Sequence, residues 1–327
     1  MLKLKLTGLL PIAAIWAGVA LIGAVACSTG ADEPGVSGPT PDDVSSFPTP
    51  LGGLSNPVGP QTANAEADSD GPSKPTGTPP ALDTSIARVA LGEALFDTFQ
   101  GASILLDVVT EREIDRLRDA IIPIYVPKYD GPDGGDWLDD SDVVLGYESE
   151  FGAYAYPVKM LNLHEIVNDV IDGVPVLISY CPLCANGVVD SRVLDGNTLV
   201  FGNTSALYDS DLIMFDWETG SYWHQVIGEA IVGPLTGRRL TVLPSRMTTW
   251  SQWKALHPET QKLSENLNLL QGGLLGGNPY DRDPFVGYDE RVNSGGFAFP
   301  VSADKLDDRL RPDDFALALD VDGMHVA

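Results

Sequence analysis

Most of the chain beyond Pro123 consists of short apolar runs separated by glycine, proline, aspartate and asparagine. Six runs have the length and the β-branched and aromatic content of β-strands: DVVLGYE, AYAYPVKML, VPVLISY, GVVDSRVL, TLVFGNT and DLIMFDW. The tetrapeptide LDGN at 194–197 is typical of a hairpin turn between Val188–Leu194 and Thr198–Phe201. The pattern predicts an α+β fold, a β-dominated single domain with a few short peripheral helices.

Apolar residues recur at helical spacing in three places. The segments SIARVALGEALFDTF and TEREIDRLRDAIIPI predict a helical lead-in over residues 83–121. Within it, Thr110 and Glu113 match a capping box, in which each residue satisfies a free backbone N–H of the other. The segment TTWSQWKALHP predicts a further short helix that begins with Thr248 or Thr249.

The N-terminus has the pattern of an export signal. Two lysines precede an uncharged apolar run from Gly8 to Val25, and the following GAVAC resembles a bacterial lipoprotein cleavage box. Residues 1–26 are therefore predicted to be a lipoprotein signal peptide and Cys27 the lipidated residue, with an uncleaved membrane anchor as the alternative. In either case we expect an exported protein held on the bacterial cell envelope, at the outer membrane or the outer face of the cell membrane.

Residues 27–82 are rich in proline, glycine and serine and poor in aromatic residues. Such a segment buries too little apolar surface to offset its conformational entropy, so we predict a disordered tether. The β-rich domain is assigned to residues 122–327. Its last strand pattern stops at Ala327, which favours either a domain truncated at its C-terminus or a natural end that pairs elsewhere.

The charge of the chain excludes one class of partner. With 46 acidic and 20 basic residues, the net charge is −26 and the pI is about 4.2. Such a surface repels phosphate backbones, so we expect no binding of nucleic acid.

The candidate chemistry centres on SYCPLCANGVVD, which contains Cys181 and Cys184. A strand precedes these cysteines, and Gly187 with two valines favours a second strand after them rather than a helix. A strand, a tight turn and a strand direct both sulfurs to one point, as in a metal-binding knuckle. A disulfide, or a dithiol that exchanges electrons with a partner, remains an alternative interpretation.

Two cysteines supply only half of a tetrahedral site, so further ligands must come from elsewhere. His164 is the strongest third candidate, because it lies on a predicted short helix close to the cysteines in sequence. Glu165 or Asp169 would orient its imidazole. Met214 and His224 are additional candidates, and Met214 would serve copper in its Cu(I) form. The expected ion is copper or zinc.

Three aspartates in DSDLIMFD, namely Asp209, Asp211 and Asp216, could bind a hard cation. Alternating acids on one strand more often face solvent, and that is the expectation here.

Several unusual segments occur in one order: NLHEIVNDVIDGVPVLISYCPLC, LVFGNTSALYDSDLIMFDWETGSYWHQ and AIVGPLTGRRLTVLPSRMTTWSQWKALHP. In these the chain resembles the uncharacterised family catalogued as domain of unknown function 3179 (DUF3179), from about Ile122 to the end. The resemblance implies an exported or membrane-tethered protein. The chain departs from the family pattern at Ala185, where the family usually has glycine, and at His224, where serine is expected.

Together these features predict an extracytoplasmic lipoprotein with a metal-binding or thiol-redox site around the two cysteines. The partners expected for such a protein are the membrane, through the lipid on Cys27, and a periplasmic or extracellular thiol or metal partner. One alternative is a surface binding or scaffold module with a structural disulfide and no catalysis. Another is a hydrolase or lyase that uses His164 and Glu165 as acid and base.

Overall fold

The computed structural model describes residues 74–134, 137–267 and 278–299, together with residues 301, 306, 309–312, 314, 319–321 and 324–326. The predicted signal peptide, the lipidation site at Cys27, the tether up to residue 73 and the C-terminal Ala327 lie outside the described residues. Within the described part, no helix has both the length and the apolar character needed to cross a membrane.

Strands make up most of the described structure. In chain order they are β1 (Ala94–Asp97), β2 (Ser103–Leu105), β3 (Tyr129–Asp130), β4 (Val143–Glu148), β5 (Ala153–Pro157), β6 (Ile166–Ile171), β7 (Val174–Cys181), β8 (Asn186–Ser191), β9 (Val193–Leu194), β10 (Asn197–Thr198), β11 (Phe201–Tyr208), β12 (Asp211–Asp216), β13 (Tyr222–His224), β14 (Glu229–Val232), β15 (Thr241–Leu243), β16 (Ser245–Thr249), β17 (Gln261–Leu263), β18 (Leu319–Val321) and β19 (Met324–Val326). The helices are α1 (Glu111–Leu117), α2 (Val158–His164), α3 (Trp250–Leu256) and α4 (Tyr288–Asn293).

Three sheets form the body of the domain. Their strand orders are β14-β13-β12-β11-β1-β2, β15-β8-β7-β6 and β16-β4-β5-β17-β3. Neighbouring strands are antiparallel except for β17 and β5, which run parallel. The pairs β9-β10 and β18-β19 are separate hairpins. The predicted β-dominated α+β class is confirmed.

Strand β7 shows why the four-stranded sheet is the middle layer. Its side chains alternate between two faces, as the two-residue period of a strand requires. Val176, Ile178 and Tyr180 pack towards β4, β5 and α2, in one hydrophobic cluster. Leu177 and Cys181 pack on the opposite face, in a cluster with residues of β11 to β14. The cysteine turn therefore lies beside the interface between the middle sheet and the six-stranded sheet.

The predicted helical lead-in over residues 83–121 is wrong in its first half. Apart from a single 3₁₀ turn at Leu91–Glu93, this half forms β1 and β2. Strand β1 lies between β11 and β2, and this long-range pairing outweighs the helical spacing of its apolar residues. The second half does contain a helix: α1 begins after Thr110, and the predicted capping box with Glu113 is present.

Other local predictions have mixed outcomes. The hairpin at LDGN is confirmed between β9 and β10, with Asp195 and Gly196 in the left-handed region. Helix α3 begins after Thr249, whose hydroxyl caps it. The run AYAYPVKML is not one strand, because the chain turns from β5 into α2 at Pro157. The final residues of the predicted tether also contact the domain: Leu82 packs against the cluster beneath α1.

Candidate metal centre

The segment CPLC forms the turn between β7 and β8. Strand β7 ends at Cys181 and β8 begins at Asn186, as the strand–turn–strand interpretation predicts. The N–H of Cys184 donates a 3.2 Å hydrogen bond to the carbonyl of Cys181, which closes the turn. Ala185 then adopts φ of 47°, in the left-handed region that favours glycine. This backbone conformation explains why a glycine would suit the position.

The hairpin between β11 and β12 faces this turn. Asp209 and Ser210 both have positive φ, as in a tight two-residue hairpin turn. The carbonyl oxygen of Ser210 lies 3.7 Å from Sγ of Cys181 and 3.4 Å from Sγ of Cys184. The next residue, Asp211, therefore begins β12 directly beside both sulfurs.

Cys181, Cys184 and Asp211 form a group of metal-ligand type. The two Sγ atoms and one carboxylate oxygen all lie within 4.8 Å of one another. Both cysteines are free thiols in the structure, and Cys181 is fully buried. Three donors from two unconnected strand ends thus converge on one point, as coordination of a single ion requires.

The carboxylate of Asp211 is only partly satisfied. Oδ2 accepts a 3.0 Å hydrogen bond from the N–H of Val226. Nε2 of His224 also lies 3.0 Å from Oδ2, but outside hydrogen-bonding alignment. Oδ1 is buried and has no hydrogen-bond partner among the described residues. A buried acceptor of this kind is costly unless a donor or a cation satisfies it.

The electrostatic environment of the sulfurs is negative. Burial raises the pKa of the Cys181 thiol, and the nearby carboxyl groups of Asp211 and Glu165 add to this effect when they are ionised. The hydrogen-bonded neighbour Cys181, together with burial, raises the pKa of Cys184 well above its usual value. Among the described residues, no lysine or arginine forms an ion pair with Asp211, so no such cation beside this carboxylate favours the thiolate forms of the two cysteines.

Glu165 belongs to the surroundings of this group. It follows α2 with φ of 58°, and its carboxylate accepts a 2.6 Å hydrogen bond from the side-chain amide of Asn203. Burial raises the pKa of Glu165 to about 8, and the charges of Asp211 and Asp97 add to this effect. Glu165 is thus a carboxyl group that holds its proton near neutral pH.

Residues 288–299 cover the centre. The hydroxyl of Ser210 donates a 3.2 Å hydrogen bond to the carbonyl of Phe299, and the N–H of Ala298 donates a 3.3 Å bond to the hydroxyl of Tyr288. Leu183, inside the CPLC turn, packs against the cluster that contains Tyr288 and Phe299. The covering segment explains why Cys181 is buried and Cys184 is only partly exposed.

Additional unpaired oxygens lie on β8 of the middle sheet and on the residue that follows β13. Asn186 pairs across from Cys181, and its Oδ1 has no hydrogen-bond partner among the described residues. The same is true of both carboxylate oxygens of Asp190 and of Oε1 of Gln225, whose amide donates a 3.0 Å bond to Ser179. Burial raises the pKa of Asp190 to about 7.

The structure does not bring His164 to the cysteines. Its Nδ1 lies 2.7 Å from the carbonyl of Ile122, and its Nε2 lies 2.9 Å from the hydroxyl of Tyr280. Both ring nitrogens therefore have partners, and burial lowers the pKa of His164 to about 4. His164 ends α2 in the hydrophobic cluster on the opposite side of the middle sheet, where a neutral imidazole links two segments.

Three further candidates occupy different positions. Asp169 accepts hydrogen bonds from the hydroxyls of Tyr129 and Tyr156, on the side of the middle sheet away from Cys181. Met214 is fully buried opposite Trp223 in the six-stranded sheet, in the hydrophobic cluster that also contains Cys181. His224, by contrast, joins the centre through its approach to Asp211.

Asp211 is the residue of the centre that the sequence did not identify as a partner of the cysteines. Asp211 and Asp216 were expected to face solvent, and this expectation is wrong, since both are buried. Asp216 accepts a 2.8 Å hydrogen bond from the indole of Trp223, which gives it a structural role. The signal for Asp211 was its position directly after a hairpin turn, but nothing in the sequence shows that this turn meets CPLC.

Comparison with known proteins places the chain in a family without supplying an activity. No curated protein and no solved structure matches the chain significantly. The family model described as "Protein of unknown function (DUF3179)" matches residues 118–327, which include the cysteine turn, Asp211 and the covering segment. The chain is a member of this DUF3179 family.

Proposed function

We propose that this protein is an extracytoplasmic lipoprotein whose domain binds one zinc ion through Cys181, Cys184 and Asp211. The observation that supports the proposal is the convergence of two sulfurs and a carboxylate oxygen within 4.8 Å. The unpartnered Oδ1 of buried Asp211 supports it independently, because a bound cation would satisfy that atom.

The donor set favours zinc over copper. Zinc accepts thiolate, imidazole and carboxylate ligands in tetrahedral sites, whereas Cu(I) prefers soft sulfur ligands. Met214, the thioether that would serve Cu(I), packs in the same hydrophobic cluster as Cys181. The third donor that converges with the two sulfurs is the carboxylate of Asp211, and a hard oxygen suits zinc better than Cu(I).

Zinc binding would remove the protons that the two cysteine thiols carry in the metal-free protein. A metal ion displaces the protons of coordinating thiols, so Cys181 and Cys184 would bind as thiolates. His224 would contact the carboxylate of Asp211 without binding the ion itself. Side chains that contact metal ligands in this way commonly fix the orientation of those ligands. Glu165 would supply a carboxyl group beside the ion that can take up or release a proton near neutral pH.

Burial favours metal binding over exchange of disulfides with another protein. Cys181 is 1% exposed, and residues 288–299 lie over the turn. A protein partner would have to displace this segment before its thiol could reach Cys181, whereas Cys184 is partly exposed. A metal ion needs far less space than a protein partner to reach the buried sulfur.

The test is metal content, measured by elemental mass spectrometry with a free-thiol count, on the full-length chain purified from cell envelopes without a histidine tag. We expect about one equivalent of zinc per chain. Asp211→Asn and the double variant Cys181→Ser/Cys184→Ser should lose it, whereas the matched variant Asp140→Asn, at an exposed acid, should retain it.

Two results would contradict the proposal. A metal-free protein whose thiols become titratable only after reduction would support the disulfide-bonded binding or scaffold module. Metal retained in full by both site variants would place the ion elsewhere.

A further inference from the structure

A second polar site lies beside the six-stranded sheet, next to the first described residue, Lys74. Its base is the carboxylate of Asp119, which is 6% exposed. Its walls are the rings of Tyr125 and Trp217. The ammonium group of Lys74 lies 2.9 Å from Oδ2 of Asp119, and 5.6 and 5.5 Å from the centroids of the Tyr125 and Trp217 rings.

The site is organised without the lysine. The indole of Trp217 donates a 3.0 Å hydrogen bond to the hydroxyl of Tyr125, which donates a 2.7 Å bond to Oδ2 of Asp119. Oδ1 of Asp119 accepts a 3.0 Å bond from the N–H of Asn203. These bonds fix both rings and the carboxylate before any cation arrives, and such preorganisation reduces the cost of binding.

Lys74 is not needed to hold the chain in place. The guanidinium of Arg118 donates to the carbonyls of Pro79 and Pro80, and Leu82 packs into the cluster beneath α1. The segment is thus attached at residues 79–82. The side chain of Lys74, which is 51% exposed, reaches the site from a position N-terminal to this attached segment.

We propose that Asp119, Tyr125 and Trp217 form a binding site for a small primary alkylammonium ion, which Lys74 occupies in cis. Two aromatic faces attract a cation through their electron-rich rings, and a buried carboxylate adds a charged hydrogen-bond acceptor. The carboxylate favours a primary ammonium over a quaternary one, since only the former can donate an N–H. The strongly acidic surface of the protein would concentrate such amines near the site.

Lys74 acts in this arrangement as a tethered competitor. A group held next to its site has an effective concentration in about the millimolar range, so a free amine must exceed that level to displace it. Removal of the lysine side chain should therefore expose the site. This expectation does not depend on the metal centre.

The experiment is titration of the full-length chain with n-butylammonium chloride, followed by calorimetry and by the indole N–H signal of Trp217. Lys74→Ala should bind n-butylammonium at least about tenfold more tightly than the unaltered chain, because the tethered competitor is gone. Neutral n-butanol should not bind, and tetramethylammonium should bind more weakly. Lys254→Ala, which removes a lysine over the ring of Trp250, is the matched control and should behave like the unaltered chain.

A second variant tests whether any gain in amine affinity comes from this site or only from the loss of one positive charge. Lys74→Ala/Trp217→Leu should lose the gained affinity, and its circular dichroism will report whether the domain is still folded. Three results would overturn the proposal: no binding of n-butylammonium by folded Lys74→Ala, equal binding of n-butanol, or equal binding of tetramethylammonium.

Discussion

Nε2 of His224 lies 3.0 Å from Oδ2 of Asp211, the carboxylate that converges with Cys181 and Cys184. The two residues come from different strands, and the ring of His224 also packs edge-on against Tyr208 at 5.3 Å between centroids. The imidazole is therefore held in one orientation beside a carboxylate that has a free oxygen. Asp211 should therefore matter more for zinc binding than His224, which contacts only the carboxylate.

We expect Asp211→Asn to weaken zinc binding more than His224→Gln does. Loss of a direct ligand should cost about a hundredfold or more in affinity, while loss of an orienting group costs about 10- to 100-fold. Competition with a chromophoric chelator measures both affinities. His257→Gln, at a histidine of α3's C-terminus outside the centre, should change nothing. Unaltered affinity in Asp211→Asn would remove Asp211 from the ligand set.

Asp190 should make the stability of the domain depend on pH. Its carboxyl has a pKa of about 7 in the folded protein, against 3.8 for the free group. Below about pH 4 it is protonated in both the folded and the unfolded chain, so it has no effect on stability. Between pH 4 and 7 the unfolded chain loses the proton first, so the free energy of unfolding falls as pH rises, by roughly 4 kcal/mol in total.

Asp190→Asn should abolish this contribution. The difference in unfolding free energy between Asp190→Asn and the unaltered chain should grow between pH 4 and 7 and then level off. Urea unfolding at several pH values measures this difference, with Asp140→Asn as the exposed control. A difference that stays constant with pH would mean that the Asp190 carboxyl titrates normally in the folded protein.

Gly146→Ala should destabilise the five-stranded sheet. Gly146, in β4, faces the ring of fully buried Trp253, and a Cβ at this position would collide with that ring. The indole of Trp253 donates a 2.9 Å hydrogen bond to the hydroxyl of Thr260, so the ring cannot move aside freely. Overpacking of this kind costs about 1–3 kcal/mol, measurable by thermal unfolding. Gly131→Ala, where no atom lies within 4 Å of the new Cβ, should have a much smaller effect.

Lipidation at Cys27 remains a prediction from the sequence, because this residue lies outside the described part of the chain. Cys27→Ser should abolish incorporation of an alkyne-labelled fatty acid and release the chain from the membrane fraction, since stable anchoring depends on the attached lipid. Cys184→Ser should leave both properties unchanged. Continued membrane attachment of Cys27→Ser would favour the alternative, an uncleaved anchor.

Features that depend on neighbouring residues could be predicted from the sequence. The cap of α1, the hairpin at LDGN and the strand–turn–strand arrangement of CPLC each follow from the chemistry of a few adjacent residues. The β-rich class follows similarly from the composition of successive runs. Helix and strand patterns were confused at β1, because a short apolar run fits both and pairing with β11 decides between them.

The composition of the centre depended instead on contacts between distant segments. Proximity in sequence favoured His164 as the third ligand, yet α2 ends on the opposite side of the middle sheet from Cys181. Asp211 reaches the sulfurs because the β11–β12 hairpin packs against the β7–β8 turn. Local residue chemistry thus predicts most of the strands, the turns and the cysteine pair, whereas the proximity of Asp211 to the two sulfurs follows from the packing of two sheets, which no local pattern encodes.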